Sequence, residues 1–346
     1  MVVWGLPGLL TIVLTLRYRE PLAITGNIFI LIFVSLLGGE LSWPELVGAT
    51  VLAGGIVLVL ALTGLTHRLA KFLPSAIVYG LLAGAVLDLL VRAITALGTS
   101  TLLVGSTFVA YFLSRAILGN KVPPLLTALT VGVVVAVIGS ETGPLPELVW
   151  PEVTLTRPEF SFDALVTATP VLVVFITLQA NAPSIVYLRS QEFEPPERIV
   201  SLVSGTGTIV GSFFGPMGVS LSLPATAFTA GPEAGDHDVR HLAAHLAAVF
   251  SLLVALSAGF ATELLEFIPA PLLQAVVGLA VLAILGQALG EITEGPLRVG
   301  PLIAFAVAVS DLELLGLGRF FWAIVFGVGV SLLLERRQWS AIEVKP

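Results

Sequence analysis

The sequence predicts an all-α polytopic membrane protein built as a seven-plus-seven inverted repeat, with about thirteen membrane segments and two broken half-helices. Three observations predict it. Hydrophobic residues fill 56% of the 346 positions and charged residues 11%, with a mean hydropathy of +1.02, whereas soluble domains carry about 25% charge. Apolar runs near spanning length recur along the whole chain and leave no room for a soluble domain. A shift of 195 positions lays Leu60 to Pro74, LALTGLTHRLAKFLP, over Ala255 to Pro269, ALSAGFATELLEFIP, so that Gly64 meets Gly259, Phe72 meets Phe267 and Pro74 meets Pro269. Pro21 falls on Pro216 in the same register. Chance similarity between apolar segments is the alternative. A repeat unit with an odd number of spans must be inverted relative to its partner, the arrangement of many secondary transporters.

In order, the expected segments are 2–16, 22–37, 44–64, 74–91, 100–118, 123–139, 162–188, 199–213, 217–231, 241–261, 269–289, 299–311 and 318–334. The first lacks a charged leading region and a small-residue cleavage site, so it reads as structural and not as a signal peptide. Residues 1–139 form the first repeat, 140–161 an extracellular linker, 162–334 the second repeat and 335–346 a cytoplasmic tail. The counterpart of segment 162–188 falls before Met1, so the first helix of the first repeat is expected to be missing. With the tail inside, alternation leaves only Arg92, Arg157 and Arg319 of the sixteen basic residues outside. That bias is a positive-inside signal for a multi-pass inner (plasma) membrane protein.

The stretch Phe213 to Gly235, FFGPMGVSLSLPATAFTAGPEAG, is the one around which the chain is organised. Glycines, prolines and the hydroxyls of Ser220, Ser222, Thr226 and Thr229 interrupt an otherwise apolar run. Broken backbone at membrane depth is tolerated only where it is buried in protein or lines a cavity. A half-helix starting near Gly218 would aim free N–H groups and a positive dipole end into that cavity.

Zero cysteines exclude disulfides, thiolate metal sites and cysteine nucleophiles. The net charge of −7 with no basic run gives no reason to expect nucleic acid. There is no HExxH, no GxSxG with a histidine partner and no aspartate pair at membrane depth, so an intramembrane enzyme is disfavoured. No cofactor or metal is expected.

The run Gln179 to Arg189, QANAPSIVYLR, followed by EPPERIVSLVSGTGTIVGSFFGPMGVSLSLPATAFTAGPEA, resembles the benzoate/proton symporter family (BenE). The early RYREPL and LTGLTHRLAKFLPSAIVYGLLAGAVL are similar to it too. The resemblance implies a fold like that of nucleobase permeases and SulP anion transporters. A core domain, here about 2–64 and 162–261, would move against a gate domain, about 74–139 and 269–334. Two half-helices with short strands would face each other, beginning near Thr25 to Asn27 and near Gly218 to Ser222, with Gln179 and Asn181 as a third wall. The chain departs from the family in carrying ITGNIFIL after its RYRxP turn and Asp88 in place of an arginine.

Candidate substrate contacts are therefore Thr25, Gly26, Asn27, Gln179, Asn181, Gly218, Ser220 and Ser222. Two opposed half-helix ends can hold an anion without a basic residue, although small residues also serve close helix packing. Buried amides such as Gln179 and Asn181 mark either a cavity or interhelical hydrogen bonds. Asp88 is the proton-coupling candidate, as an acid inside an apolar segment, and an ion pair with Arg92 four residues on is its bland alternative. Glu233, Asp236, His237 and Asp238 read as a solvated loop, His241 and His245 as the wet end of the next helix. Glu263 and Glu266, with His67, Arg68 and Lys71, read as interfacial anchors. The expected function is proton-coupled symport of benzoate or a similar small aromatic carboxylate. Another small anion, a nucleobase, or a passive anion channel are the alternatives. Substrate, protons and bilayer lipid are the expected partners, and related transporters are often homodimers.

Overall fold

The computed structural model describes residues 1–65, 73–119, 122–147, 149–315 and 317–342. The anchors His67, Arg68 and Lys71, and the basic residues Lys121 and Lys345, lie outside the described residues. The first part of the chain forms α1 (Val2–Tyr18), β1 (Ile24–Gly26), α2 (Ile28–Leu37), α3 (Trp43–Thr63), α4 (Ser75–Thr95), α5 (Thr101–Ile117) and α6 (Pro124–Ile138). An irregular connection then leads to the long α7 (Phe162–Ser190), which carries a π-helical stretch over Phe175–Asn181. After it come α8 (Glu197–Ser212), β2 (Val219–Leu221), α9 (Leu223–Ala230), α10 (Arg240–Leu256), α11 (Ala258–Phe267), α12 (Ala270–Glu294), α13 (Val299–Val309), α14 (Arg319–Leu334) and α15 (Arg336–Ile342).

Among the described residues five helices are long and apolar enough to cross a membrane: α3, α4 with its short extension to Gly98, α7, α10 with the turn before it, and α12. The shorter apolar helices are α1, α2, α5, α6, α13 and α14. Both stretches expected to be broken are broken. Each is a three-residue strand followed by a short helix. The helices begin at Ile28 and Leu223, later than the sequence suggested for the second, because Gly218 precedes the strand and Ser222 is the N-cap. A strand–helix switch removes the ladder of an unbroken rod, so the ribbon must supply the missing backbone partners.

Two sets of helices pack separately. In one, α1 packs on α10, α3 on α8 and α7, and both strands on their preceding helices. In the other, α4 packs on α12 and α13, α13 on α14, and α5 on α6 and α12. Close backbone approach at Gly80 makes the second set tight, since a Cβ there would stand 2.2 Å from the Pro301 carbonyl oxygen. The sets meet where α2 and α7 touch α4. Three fully buried rings seal that seam, Phe33 lying 5.9 Å from Phe175 and 5.6 Å from Phe320 between centroids.

Candidate functional site

β1 and β2 pair antiparallel, Ile24 against Leu221, Thr25 against Ser220 and Gly26 against Val219. The ladder extends by one bond at each end, from Asn27 N–H to the Gly218 carbonyl (2.8 Å) and from Ser222 N–H to the Ala23 carbonyl (3.2 Å). Each strand is also held by a threonine of the helix before it. Thr11 Oγ1 bonds both the N–H and the carbonyl of Ile24, and Thr208 Oγ1 accepts the N–H of Val219 at 2.9 Å. Hydroxyls inside apolar helices thus serve backbone groups on the outer edges of the strands, which the ribbon itself does not pair.

Asn27 is the most heavily used of the candidate residues. Its Oδ1 accepts the N–H groups of Phe29 (3.0 Å) and Ile30 (3.2 Å), and its Nδ2 donates to the Phe175 carbonyl and to Ser220 Oγ, both at 3.1 Å. Ser222 Oγ accepts the Ala225 N–H at 3.4 Å. The helix ends expected to offer bare amides are therefore partly capped by their own side chains, as asparagine and serine at N-cap positions commonly do. Asn181 is committed as well, accepting the Leu221 N–H (2.8 Å) and donating to Ser204 Oγ (3.0 Å). It bonds the β2 edge and α8, which is the interhelical reading of that amide. Gly26 and Gly218 sit where neighbouring side chains press on the backbone: a Cβ would stand 2.7 Å from Val3 Cγ1 at the first and 2.1 Å from Ile30 Cδ1 at the second.

Gln179 differs from these. It is 9% exposed and its buried Oε1 has no hydrogen-bond partner, an expensive state that a ligand or water relieves. The Tyr79 hydroxyl of α4 stands beside it and also meets the Gln287 amide of α12, so Gln179 faces the other helix set. Thr25 is half-buried, with its hydroxyl on the Gly26 carbonyl. A cavity of about 560 Å³, open at the surface, is lined by Thr177 and Asn181 of α7 and continues past Arg189, Arg198 and Ser201; of the candidate contacts Asn181 alone lines it.

Asp88 bonds Arg92 at 2.8 Å, and both side chains are exposed, 40% and 67%. The geometry is that of a boundary ion pair. His237 stacks on Phe193 at 4.2 Å, so the loop after α9 is partly packed, while Asp238 is fully exposed. His245 Nδ1 lies 3.3 Å from Thr15 Oγ1, which places it against α1 and not only at a wet helix end. Sequence reasoning missed Thr11, Ser204, Thr208, Tyr79 and Gln287. For the first three the signal was a hydroxyl on an otherwise apolar helix face, shared with many hydroxyls that only bond their own helix.

Comparisons with known proteins bear on the family and the fold. The chain is 28% identical over 342 residues to the Inner membrane protein YdcO of Escherichia coli, covering 96% of this chain and 86% of that one. It is 25% identical over 335 residues to the Benzoate membrane transport protein of Acinetobacter baylyi, covering 95% and 84%. In fold it is similar to the transmembrane domain of a cyanobacterial bicarbonate transporter, BicA, with a TM-score of 0.55 at 15% identity over 91% of this chain and 84% of that one. It is also similar to SLC26A9, with a TM-score of 0.58 at 14% identity over 97% of this chain and 63% of that one. Such likeness at low identity shows a shared helical fold. The family model described as Benzoate membrane transport protein matches residues 2–333, and the chain belongs to that family, BenE.

Proposed function

We propose that this membrane transport protein is a proton-coupled symporter of benzoate or a similar small aromatic carboxylate, held near the ribbon by Thr25, Gln179 and Ser222. Asn27, Asn181 and Ser220 hold that site together, and Gly26 and Gly218 allow its elements to approach. The observation that carries the reading is the ribbon itself: two interrupted spans joined strand to strand, beside a buried glutamine whose side-chain oxygen has no partner, at the seam between two helix sets. The relative named for benzoate transport supports the substrate class.

The core and gate division, with seven-plus-seven inversion, is supported by register. A shift of 195 carries Val2, Ile24, Ser75 and Pro124, which open α1, β1, α4 and α6, onto Glu197, Val219, Ala270 and Arg319, which open α8, β2, α12 and α14. Packing of α1 on α10 is mirrored by α8 on α3. The bias of basic residues supports a cytoplasmic C-terminus.

Labelled benzoate uptake into proteoliposomes under an imposed proton gradient tests the reading. Accumulation above equilibrium that an uncoupler abolishes is expected. Uptake that only equilibrates and ignores the uncoupler would establish a passive channel instead. Accumulation of another small anion or a nucleobase, with none of any aromatic acid, would replace the substrate class.

A further inference from the structure

Away from the ribbon, a second polar constellation lies where the end of α2 meets the start of α14. A cavity of about 380 Å³ is lined there by Glu40, Asp163, Asp311, Glu313 and Arg319, with glycines between. Arg319 is mostly buried, at 22% side-chain exposure, and its guanidinium lies over the Phe320 ring at 4.9 Å. It reaches two ways: Nε is 3.6 Å from Glu40 Oε1, and Nη1 is 3.6 Å from Asp311 Oδ1. Both separations are too long for hydrogen bonds, and Nε has no partner. Glu40 follows α2, which continues directly from the ribbon strand β1, whereas Asp311 follows α13, which packs on α14. Arg319 therefore stands between an acid of its own helix set and an acid of the other. The Glu40 carboxylate lies close against the backbone before Arg319, since a Cβ on Gly318 would stand 2.6 Å from Glu40 Oε2.

Four carboxylates surround one guanidinium. Closing this face gathers them, and the surplus negative charge opposes closure unless one takes a proton. Glu40 is the member best placed to do so: its carboxylate faces the unpartnered Nε of Arg319 with its side chain 33% exposed, while Asp311 is fully exposed and Asp163 already accepts the Thr167 hydroxyl at 2.9 Å. Burial pushes the Glu40 carboxyl above its ordinary range; Arg319 works against that, and Asp163 and Glu313 reinforce it. A group that holds its proton more tightly with the face closed than in water is stabilised there by acid, and losing the proton favours opening.

We infer that Glu40 is the proton-binding residue that couples closure of this face to transport, with Arg319 passing to Asp311 when the proton arrives. The inference rests on the symport reading, since a symporter must close its loading side when proton and substrate are aboard. With the tail inside, alternation of the expected segments sets Arg319 on the exterior, where the protons of a symport cycle enter.

The absence of cysteine from the sequence makes the test direct. Leu312→Cys places a thiol in the cavity lining, and Leu145→Cys, at a residue 81% exposed on the connection before α7, corrects for thiol chemistry. The labelling rate of the first relative to the second by an impermeant maleimide should fall on acidification, by up to about tenfold per pH unit for one linked proton. Glu40→Gln should make this ratio low and independent of pH and abolish proton-driven accumulation while leaving substrate exchange. Glu40→Asp should restore the pH dependence. A pH-dependent ratio that survives in Glu40→Gln, or a pH-independent ratio in the parent, would overturn the inference. The labelling needs no substrate, so failure of benzoate to accumulate would strike the proposed function and leave this result standing.

Discussion

Asn27 and Ser220 touch across the ribbon, amide nitrogen to hydroxyl oxygen at 3.1 Å, while the other end of the Asn27 side chain caps its own half-helix. One side chain thus fixes both where α2 begins and how far β2 stands from it. Spacing between the two interrupted spans is set by side-chain chemistry and not by backbone pairing alone.

Asn27→Ala should lower thermal stability by more than a lost cap. The cap is worth about 0.5–2 kcal/mol, and the change also strips a donor from the Phe175 carbonyl and from Ser220. Asn27→Asp keeps the acceptor for Phe29 and Ile30 but sets a negative charge beside a carbonyl. Its uptake of an anionic substrate should fall much further than its melting temperature. Parallel melting curves and uptake rates check this, and a variant that melts low yet transports normally would contradict it.

Asn181 and Ser204 should behave as one unit. Removing either leaves the other, or the Leu221 N–H, without a partner. A double-mutant cycle of Asn181→Ala and Ser204→Ala should give a coupling of at least about 0.5 kcal/mol in stability. Additive effects would mean that Asn181 acts elsewhere, as a substrate contact would.

The crossing of α4 and α13 depends on a missing side chain. Gly80→Ala would force a methyl against the Pro301 carbonyl, which is backbone and cannot rotate away. A loss of about 1–3 kcal/mol is expected, as for other overpacked sites. Gly290→Ala, also within a helix but with nothing near its Cβ, is the control and should be neutral or stabilising. Equal melting temperatures for the two variants would refute the packing account.

Much of this architecture was legible because membrane-depth chemistry leaves few options. Pro216, Gly218, Ser220 and Ser222 within an apolar run signal a break, and the break is there. The Asp88–Arg92 pair follows from spacing on a helix. Three-residue strands such as ITG and VSL carry too little pattern to be read as a ribbon, and the wide turn at Phe175–Asn181 has no composition of its own. Capping of the half-helix ends was missed because Asn27 and Ser222 looked equally suited to a ligand. Contacts such as Glu40 with Arg319 join loop residues far apart in sequence, where no periodicity exists to reveal them.

Glu335 shows the same gap, since in sequence it opens a polar tail. In the fold it is 5% exposed and ends α14 beneath the start of α13. Its Oε1 accepts the N–H groups of Arg298 (2.6 Å) and Val299 (2.8 Å), and its Oε2 accepts Gly300 N–H (3.0 Å) and Ser331 Oγ (2.9 Å). A carboxylate at a helix N-terminus meets free amides and a favourable dipole. Burial alone would raise this carboxyl, but the backbone donors of Gly300, Arg298 and Val299 and the Ser331 hydroxyl outweigh it and hold it below the ordinary value of 4.5. A depressed folded-state value stabilises the protein fully above the unfolded value and is lost as pH falls through the folded one. Glu335→Gln should therefore cost about 2 kcal/mol at neutral pH, the scale of hydrogen bonds to a charged group. The gap between the two proteins should hold down to about pH 4.5 and shrink below it. Melting curves across that range decide the matter: a gap that stays constant into acid would mean the side chain acts by shape, with no contribution from its charge.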